Sequence, residues 1–179
     1  MINFIIIFAI SILSIVEVTA LSYAFIALFT IIQGPPFVPT TDERLINSVK
    51  LADIQPNTKA VDLGCGDGKV LIYLAKLGCQ AQGFEINPLL VWLTRINIKK
   101  AGLEKKAFVH HGNFWKVDLS NFDLVYVYGI NYVMKKLAVK LKKELKPGAQ
   151  VISIVCPLPG WQAQKTYGKI YYYVQKLNT

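Results

Sequence analysis

From Ile2 to Ile32 the chain shows no alternation of apolar and polar positions, and its one charge is Glu17. An uninterrupted apolar run of this length predicts a single helix that is greasy on every side. At about 1.5 Å per residue it reaches roughly 46 Å, more than the ~30 Å hydrocarbon core of a bilayer. One tilted or protruding span fits best, and a helical hairpin has no turn signal near Glu17 to support it. A cleaved signal peptide fits poorly, because the first Lys or Arg of the chain is Arg44 and no basic region precedes the apolar stretch. Gly34-Pro35-Pro36-Phe37-Val38-Pro39-Thr40 then breaks the pattern, its prolines holding the backbone extended. Thr41-Asp42-Glu43 can cap a helix over Glu43 to Ala52, with Leu45, Ile46, Val49 and Leu51 as its apolar positions.

Past Pro56 the periodicity switches between two and near four. Lys59 to Leu63 reads as a short buried strand and Lys69 to Leu77 as a helix with Val70, Leu71, Leu74 and Leu77 on one face. Gln80 to Glu85 is strand-like and Leu89 to Lys100 helix-like. Strands are expected at Ala107 to His110 and Phe122 to Val127. An amphipathic basic helix, Tyr132 to Glu144, ends before Lys146-Pro147-Gly148, and Ala149 to Val155 reads as strand. Gln162 to Tyr167 and Ile170 to Val174 flank Gly168-Lys169, a hairpin turn. Strand–helix alternation of this kind predicts an α/β fold with a mainly parallel, Rossmann-like sheet, closed by an antiparallel C-terminal hairpin. The expected organisation is an anchor over 1–33, a Pro-rich linker with one helix over 34–58, and the α/β domain over 59–179.

Composition sharpens this division. The chain is 53% hydrophobic with a formal charge of +9, an unusual pairing for one soluble domain. All 20 Lys and Arg lie after Gln33, so with Glu17 set aside the remainder carries +10. Disorder, a multi-span transporter and a disulfide scaffold are excluded. Cys65, Cys79 and Cys156 are odd in number and lack CxxC spacing, so neither a zinc set nor a disulfide framework follows, and buried thiols in a reducing compartment fit. Basic flanks on the C-terminal side alone put the domain on the cytoplasmic side, or on the matrix side in a mitochondrion. Glu17 lies either near the far interface or within the membrane, where it would meet a partner helix. Lys99, Lys100, Lys105 and Lys106 form one basic cluster; Lys135, Lys136, Lys140, Lys142, Lys143 and Lys146 form another. Solvated helix faces, attraction to anionic lipid, and nucleic-acid binding all remain open. The scarcity of Arg (Arg44 and Arg95) weighs against the last.

The chemistry is concentrated in Val61-Asp62-Leu63-Gly64-Cys65-Gly66-Asp67-Gly68-Lys69, where a strand becomes a helix. The dinucleotide fingerprint GxGxxG would need Gly where Lys69 stands. The pattern is instead GxGxG with an acid two positions earlier. Glu85, at the end of the next strand, can accept hydrogen bonds from both hydroxyls of a ribose. This combination resembles class I S-adenosylmethionine-dependent methyltransferases over about Pro36 to Leu177. The resemblance implies that Gly64, Cys65, Gly66 and Gly68 pass under the methionine part and ribose. Asp62 and Asp67 would touch the cofactor directly or through water. Asn113 would meet the adenine amino edge, where many relatives have Asp, and Phe114 or Ile86 would pack on the ring.

A narrower resemblance rests on Pro36-Phe37-Val38-Pro39-Thr40, Phe84-Glu85-Ile86-Asn87-Pro88, Asn113-Phe114-Trp115-Lys116-Val117 and Pro157-Leu158-Pro159-Gly160-Trp161. Together they resemble the membrane-anchored protein-lysine methyltransferases that include the mitochondrial enzymes acting on the c-ring protein of ATP synthase and on the adenine nucleotide translocase. That implies lysine N-methylation of a membrane protein, with S-adenosylmethionine as donor and no metal. Tyr128 and Trp161 are candidate catalytic residues. Phe37, Tyr128, Pro157 and Trp161 are candidate walls of an acceptor pocket able to hold a cation against aromatic faces. No residue stands out as the general base, and His110 and His111 are expected to flank the adenine pocket or face solvent. Two rival functions stay open: methylation of a lipid headgroup or small amphiphile, and a non-catalytic, membrane-tethered module that binds S-adenosylmethionine.

Overall fold

The computed structural model describes residues 2–33 and 38–176, so Phe37 and the linker ahead of it lie outside the described residues. The chain divides into two compact units, Met1–Pro36 and Phe37–Thr179.

The first unit is one helix, α1 (Ile2–Gln33). Its 22-residue stretch Ile5–Ile26 is long and apolar enough to cross a membrane by length and composition. Its polar side chains hold no idle donors. The hydroxyls of Ser11, Thr19 and Ser22 donate to the carbonyls of Ile7, Val16 and Val18 at 2.8–2.9 Å, which removes the cost of carrying them into an apolar medium.

The second unit is a seven-stranded sheet in the order β3-β2-β1-β4-β5-β7-β6. Its strands are β1 (Lys59–Leu63), β2 (Gln80–Glu85), β3 (Ala107–His111), β4 (Leu124–Tyr128), β5 (Gln150–Ile154), β6 (Lys165–Tyr167) and β7 (Ile170–Val174). The first five run parallel. β7 is antiparallel to β5 and to β6. Helices α2 (Asp42–Val49), α3 (Lys69–Lys76), α4 (Pro88–Lys100) and α5 (Asn131–Glu144) cover the sheet. Leu45, Leu71, Leu74, Val91 and Ile98 of α2, α3 and α4 pack one face around Ala60, Ala81 and Tyr126. Met134, Leu137 and Leu141 of α5 pack the other around Val61, Val125 and Val151. Parallel strands covered on both faces read as near-continuous apolar runs, as β4 does.

Three boundaries differ from the sequence expectation. α2 ends at Val49, not Ala52, because the Leu51 and Ala52 amides bond three residues back, to Ser48 and Val49, and tighten the chain out of the helix. β4 begins at Leu124 because Phe122 is buried as a plug in the α5-side core, and the Asp123 carboxylate accepts the Lys59 amide at 2.8 Å. β6 is only three residues long, since Trp161, at the start of the expected strand, turns in to bond Ala138 of α5.

Candidate active site

Between β1 and α3 the chain turns through three glycines with positive φ: Gly64 at 84°, Gly66 at 56° and Gly68 at 82°. Neighbouring elements pin the loop from two sides. The Gly64 and Cys65 amides donate to the Phe84 carbonyl of β2 at 2.9 and 3.2 Å. From α4, the Thr94 hydroxyl donates to the Gly66 carbonyl at 2.7 Å and the Asn97 amide to the Asp67 carbonyl at 2.9 Å. The fit is close. A Cβ on Gly68 would lie 2.5 Å from Thr94 Cγ2, and one on Gly83 would lie 2.6 Å from Cys65 Sγ. Cys65 is therefore turned into the core. Burial, then the negative charge of Asp62 and Glu85, pushes its thiol far up, so it packs rather than reacts.

Glu85 closes the loop. One carboxylate oxygen accepts the Gly66 amide at 3.0 Å and the other the Asn87 amide at 2.8 Å. Each oxygen keeps a further lone pair, so the bonds orient the group without exhausting it. Asp62 is buried beside it. Desolvation first, then the charges of Glu85 and Asp67, pushes its carboxyl up to about 8. Asp67 accepts the Lys69 amide at 3.2 Å. On the outer side of the loop Gly64 is exposed, and an added Cβ there would meet nothing within 4 Å. An open loop, an oriented strand-end carboxylate and a buried carboxyl suited to a neighbouring cation together fit a nucleoside with a positively charged tail.

At the adenine end predicted from sequence, Asn113 caps a short 3-10 turn (Phe114–Lys116), accepting the Trp115 amide at 3.0 Å. Its carbonyl oxygen retains a second lone pair and its amide group a donor pair. Ile86 is half-buried, and His111 bonds its carbonyl at 3.0 Å. Phe114 packs toward the α5-side core with its ring 4.8 Å from Trp115. His110 is exposed and stacks on Phe84 at 4.9 Å.

Beside the loop lies a narrow cleft lined by Val38, Thr40, Asp62, Gly64, Tyr126 and Tyr128 among others. The two tyrosines share a face of β4. The Arg44 guanidinium donates to the Tyr128 hydroxyl at 3.1 Å. Tyr126, buried, shares a hydrogen bond with Ser48 at 3.1 Å, and burial pushes its hydroxyl up. Trp161 is not brought to this cleft. Its indole N–H donates to the Ala138 carbonyl at 3.3 Å, and its ring meets Tyr173 edge-on at 6.0 Å. It packs with the α5-side core, whereas Tyr128 packs on the opposite face of the sheet. Pro157 is exposed.

Five residues of this neighbourhood carry no motif in the sequence: Arg44, Ser48, Lys69, Thr94 and Asn97. Lys69 joins the Gly-rich loop to the segment ahead of α2. Its ammonium donates to the Thr40 carbonyl at 2.9 Å and pairs with Asp42 at 2.9 Å. Its place where a dinucleotide loop has glycine was the one visible sign of it.

The strand order, with an antiparallel β7 between β5 and β6, and an acid-flanked GxGxG loop beneath the parallel strands' C-terminal ends define a class I methyltransferase fold. Residues 62–165 match the ANTKMT methyltransferase domain model, and the chain belongs to that family. It is 36% identical over 135 residues to adenine nucleotide translocase lysine N-methyltransferase of Mus musculus, covering 75% of this chain and 58% of that one. It is 37% identical over 134 residues to the lysine N-methyltransferase of Rattus norvegicus named for the ATP synthase c-ring protein, covering 75% of this chain and 62% of that one. It is 35% identical over 132 residues to a protein-lysine N-methyltransferase of Saccharolobus islandicus (strain REY15A), covering 73% of this chain and 82% of that one. The chain thus spans less than two thirds of the length of the mouse and rat proteins. Among solved structures, an RNA methyltransferase from Salinibacter ruber bound to S-adenosyl-L-homocysteine superposes with a TM-score of 0.77 at 29% identity, covering 79% of this chain and 96% of that one.

Proposed function

We propose that this protein is a membrane-anchored, S-adenosylmethionine-dependent methyltransferase that N-methylates a lysine of a membrane protein. The observation that carries the donor assignment is the Glu85 carboxylate, tied to the Gly66 amide at 3.0 Å and standing beside buried Asp62. Lysine as acceptor is supported by the named activities of the mouse, rat and archaeal relatives. A membrane-held substrate is supported by Ile5–Ile26. The basic flank of α1 supports a cytoplasmic or matrix position for the domain.

The bound donor supplies a sulfonium-activated methyl group. The chain's own residues position and desolvate. Glu85 holds the ribose hydroxyls, and the loop backbone from Gly64 to Gly68 follows the donor's tail. Asp62 faces the positive charge of that tail, Asp67 contributes through water, and Asn113 with Ile86 or Phe114 frames the adenine. At the acceptor side, Arg44 fixes the Tyr128 hydroxyl, whose free lone pair can accept an N–H of the incoming amine and so aim the amine's own lone pair. Alignment and exclusion of water then account for most of the acceleration.

The test is transfer of labelled methyl groups into membranes from a strain lacking the protein, followed by separation of protein, lipid and RNA. Label recovered as methyl-lysine in membrane protein is expected. Label in lipid alone would establish the headgroup reading instead, and label in RNA alone a nucleic-acid one. Calorimetry is the companion measurement. A folded chain that binds no S-adenosylmethionine would be a scaffold, and Glu85→Ala with unchanged donor affinity would remove the ribose assignment.

A further inference from the structure

Helix α4 buries Val91, Thr94 and Ile98 against the sheet. Its outward side is apolar where a soluble helix is ordinarily polar. Leu89 is 44% exposed, Trp92 63% and Leu93 37%. These positions follow the i, i+3, i+4 spacing of a single stripe. Arg95, Lys99 and Lys100, all exposed, continue the outward side toward the C-terminus. No acid lies anywhere on the helix. Because α4 follows β2 through Ile86 and Asn87, its apolar first turns stand at the sheet edge that carries Glu85 and the Gly-rich loop.

A helix with Trp and Leu on one stripe and Lys and Arg beside them matches the composition of segments that lie in a membrane interface. Trp is enriched at that depth, and nearby cations gain from anionic headgroups. A second copy of the chain fits worse, since a symmetric pairing through α4 would bring Arg95, Lys99 and Lys100 against their own equivalents. Helix α5 is equally basic but lacks such a stripe. Its exposed apolar residues Tyr132 and Val139 are separated by Lys135 and Lys136.

We propose that the outer face of α4 lies on an anionic bilayer, with Leu89, Trp92 and Leu93 at the headgroup–acyl boundary and Arg95, Lys99 and Lys100 against lipid phosphates. This docking holds the donor-site edge of the sheet toward the membrane. It rests on α1 as a membrane span and not on lysine as the acceptor.

The three tryptophans, Trp92, Trp115 and Trp161, all lie outside α1, so emission reports on the second unit without background from the anchor. Trp115 sits under Lys136 of α5 at 4.6 Å and marks the opposite face. The full chain is placed in vesicles of two parts phosphatidylcholine to one of phosphatidylglycerol, with and without bromine on the acyl chains. In the Trp115→Phe/Trp161→Phe variant, brominated lipid is expected to remove about half or more of the Trp92 emission, the quencher then lying within an interfacial helix's depth. In the Trp92→Phe/Trp161→Phe variant, emission from Trp115 is expected to stay. In the otherwise native chain, Trp92→Phe is expected to abolish the lipid-quenched fraction, which keeps the test independent of the two half-buried positions. Unquenched Trp92, quenching of Trp115 in its place, or Trp92 shielded from both lipid bromine and aqueous acrylamide each overturns the proposal, the last by putting a protein on this face. Flotation separates the two readings. A chain that floats with the vesicles while Trp92 is unquenched keeps its anchor and loses the docking face; a chain that does not float loses both.

Discussion

Asp62 couples pH to both stability and donor binding. Its folded carboxyl is pushed up to about 8 from 3.8, chiefly by burial. For an acid raised on folding, the folded chain holds the extra proton between those values, so stability falls as pH rises. The favourable contribution of the neutral carboxyl is complete below about pH 4 and is lost as pH climbs toward 8. Asp62→Asn imitates the neutral form, so its stability relative to the native chain is expected to improve steadily from pH 5 to pH 8 in chemical denaturation. Donor binding should run the other way. A cationic tail beside Asp62 favours the carboxylate, so S-adenosylmethionine should bind more tightly as pH rises to 8 and should release a proton near pH 7, seen in calorimetry as a dependence on buffer ionisation heat. The product, lacking the sulfonium charge, should show less of both. Equal pH dependence for donor and product would separate Asp62 from the sulfonium. Gly68 offers a steric test at the same loop. With φ at 82° and Thr94 Cγ2 2.5 Å from an added Cβ, Gly68→Ala is expected to cost about 2 to 4 kcal/mol from left-handed strain plus overpacking. Adding Thr94→Ser removes the methyl while keeping the hydroxyl on Gly66 O. The double variant should therefore recover the packing share of the loss but not the backbone share; no recovery would mean that Thr94 does not confine the loop.

The contact between α3 and the segment before α2 rests on Lys69. Its ion pair with Asp42 is open to water, Asp42 being 84% exposed, and such a pair is worth at most about 1 kcal/mol. The bond to the Thr40 carbonyl is better sheltered, Thr40 being buried. Lys69→Met should therefore speed amide exchange in the first turn of α2 by about tenfold while leaving β1 and β4 protected. Asp42→Asn, which spares the carbonyl bond, should do distinctly less. Equal effects would assign the latch to the surface pair. This contact also shows why reading the chain alone stops where it does. Periodicity identified every strand and helix of the sheet, and Asp62, the glycines and Glu85 were readable because a sharp turn and a strand-end acid are local features. Lys69 to Thr40, Arg44 to Tyr128 and Thr94 to Gly66 are not local. Nothing in their spacing marks which polar side chain folds back onto which loop. Phe122 and Trp161 misled for a related reason: an apolar residue beside a strand looks like part of it until the core shows it filling a gap on one face.

At the scale of the whole molecule, charge and hydropathy specify a sidedness. Glu17 is the one charge between Ile2 and Ile32, while Arg44 and Lys50 follow α1 closely. Basic residues within about 15–20 positions of a span bias that end toward the cytoplasm, and nearby acids such as Asp42 and Glu43 offset this little. Protease added to intact cells should therefore leave the second unit whole, whereas inverted membrane vesicles should lose it, read with an antibody to the C-terminal region. Asn3→Arg, which places a cation ahead of Ile5, should weaken the bias and expose a fraction of chains to outside protease. The span Ile5–Ile26 also brackets Glu17, and an ionised carboxylate near mid-bilayer costs about 3 kcal/mol on an insertion scale. Glu17→Leu should then leave the chain at least as resistant to alkaline extraction as the native one. If Glu17 meets a cationic partner helix within the bilayer, the same variant should lose methylation of its membrane substrate while calorimetric donor affinity stays unchanged. Methylation undiminished in Glu17→Leu would place the carboxylate outside substrate recognition, leaving the second unit to choose the substrate.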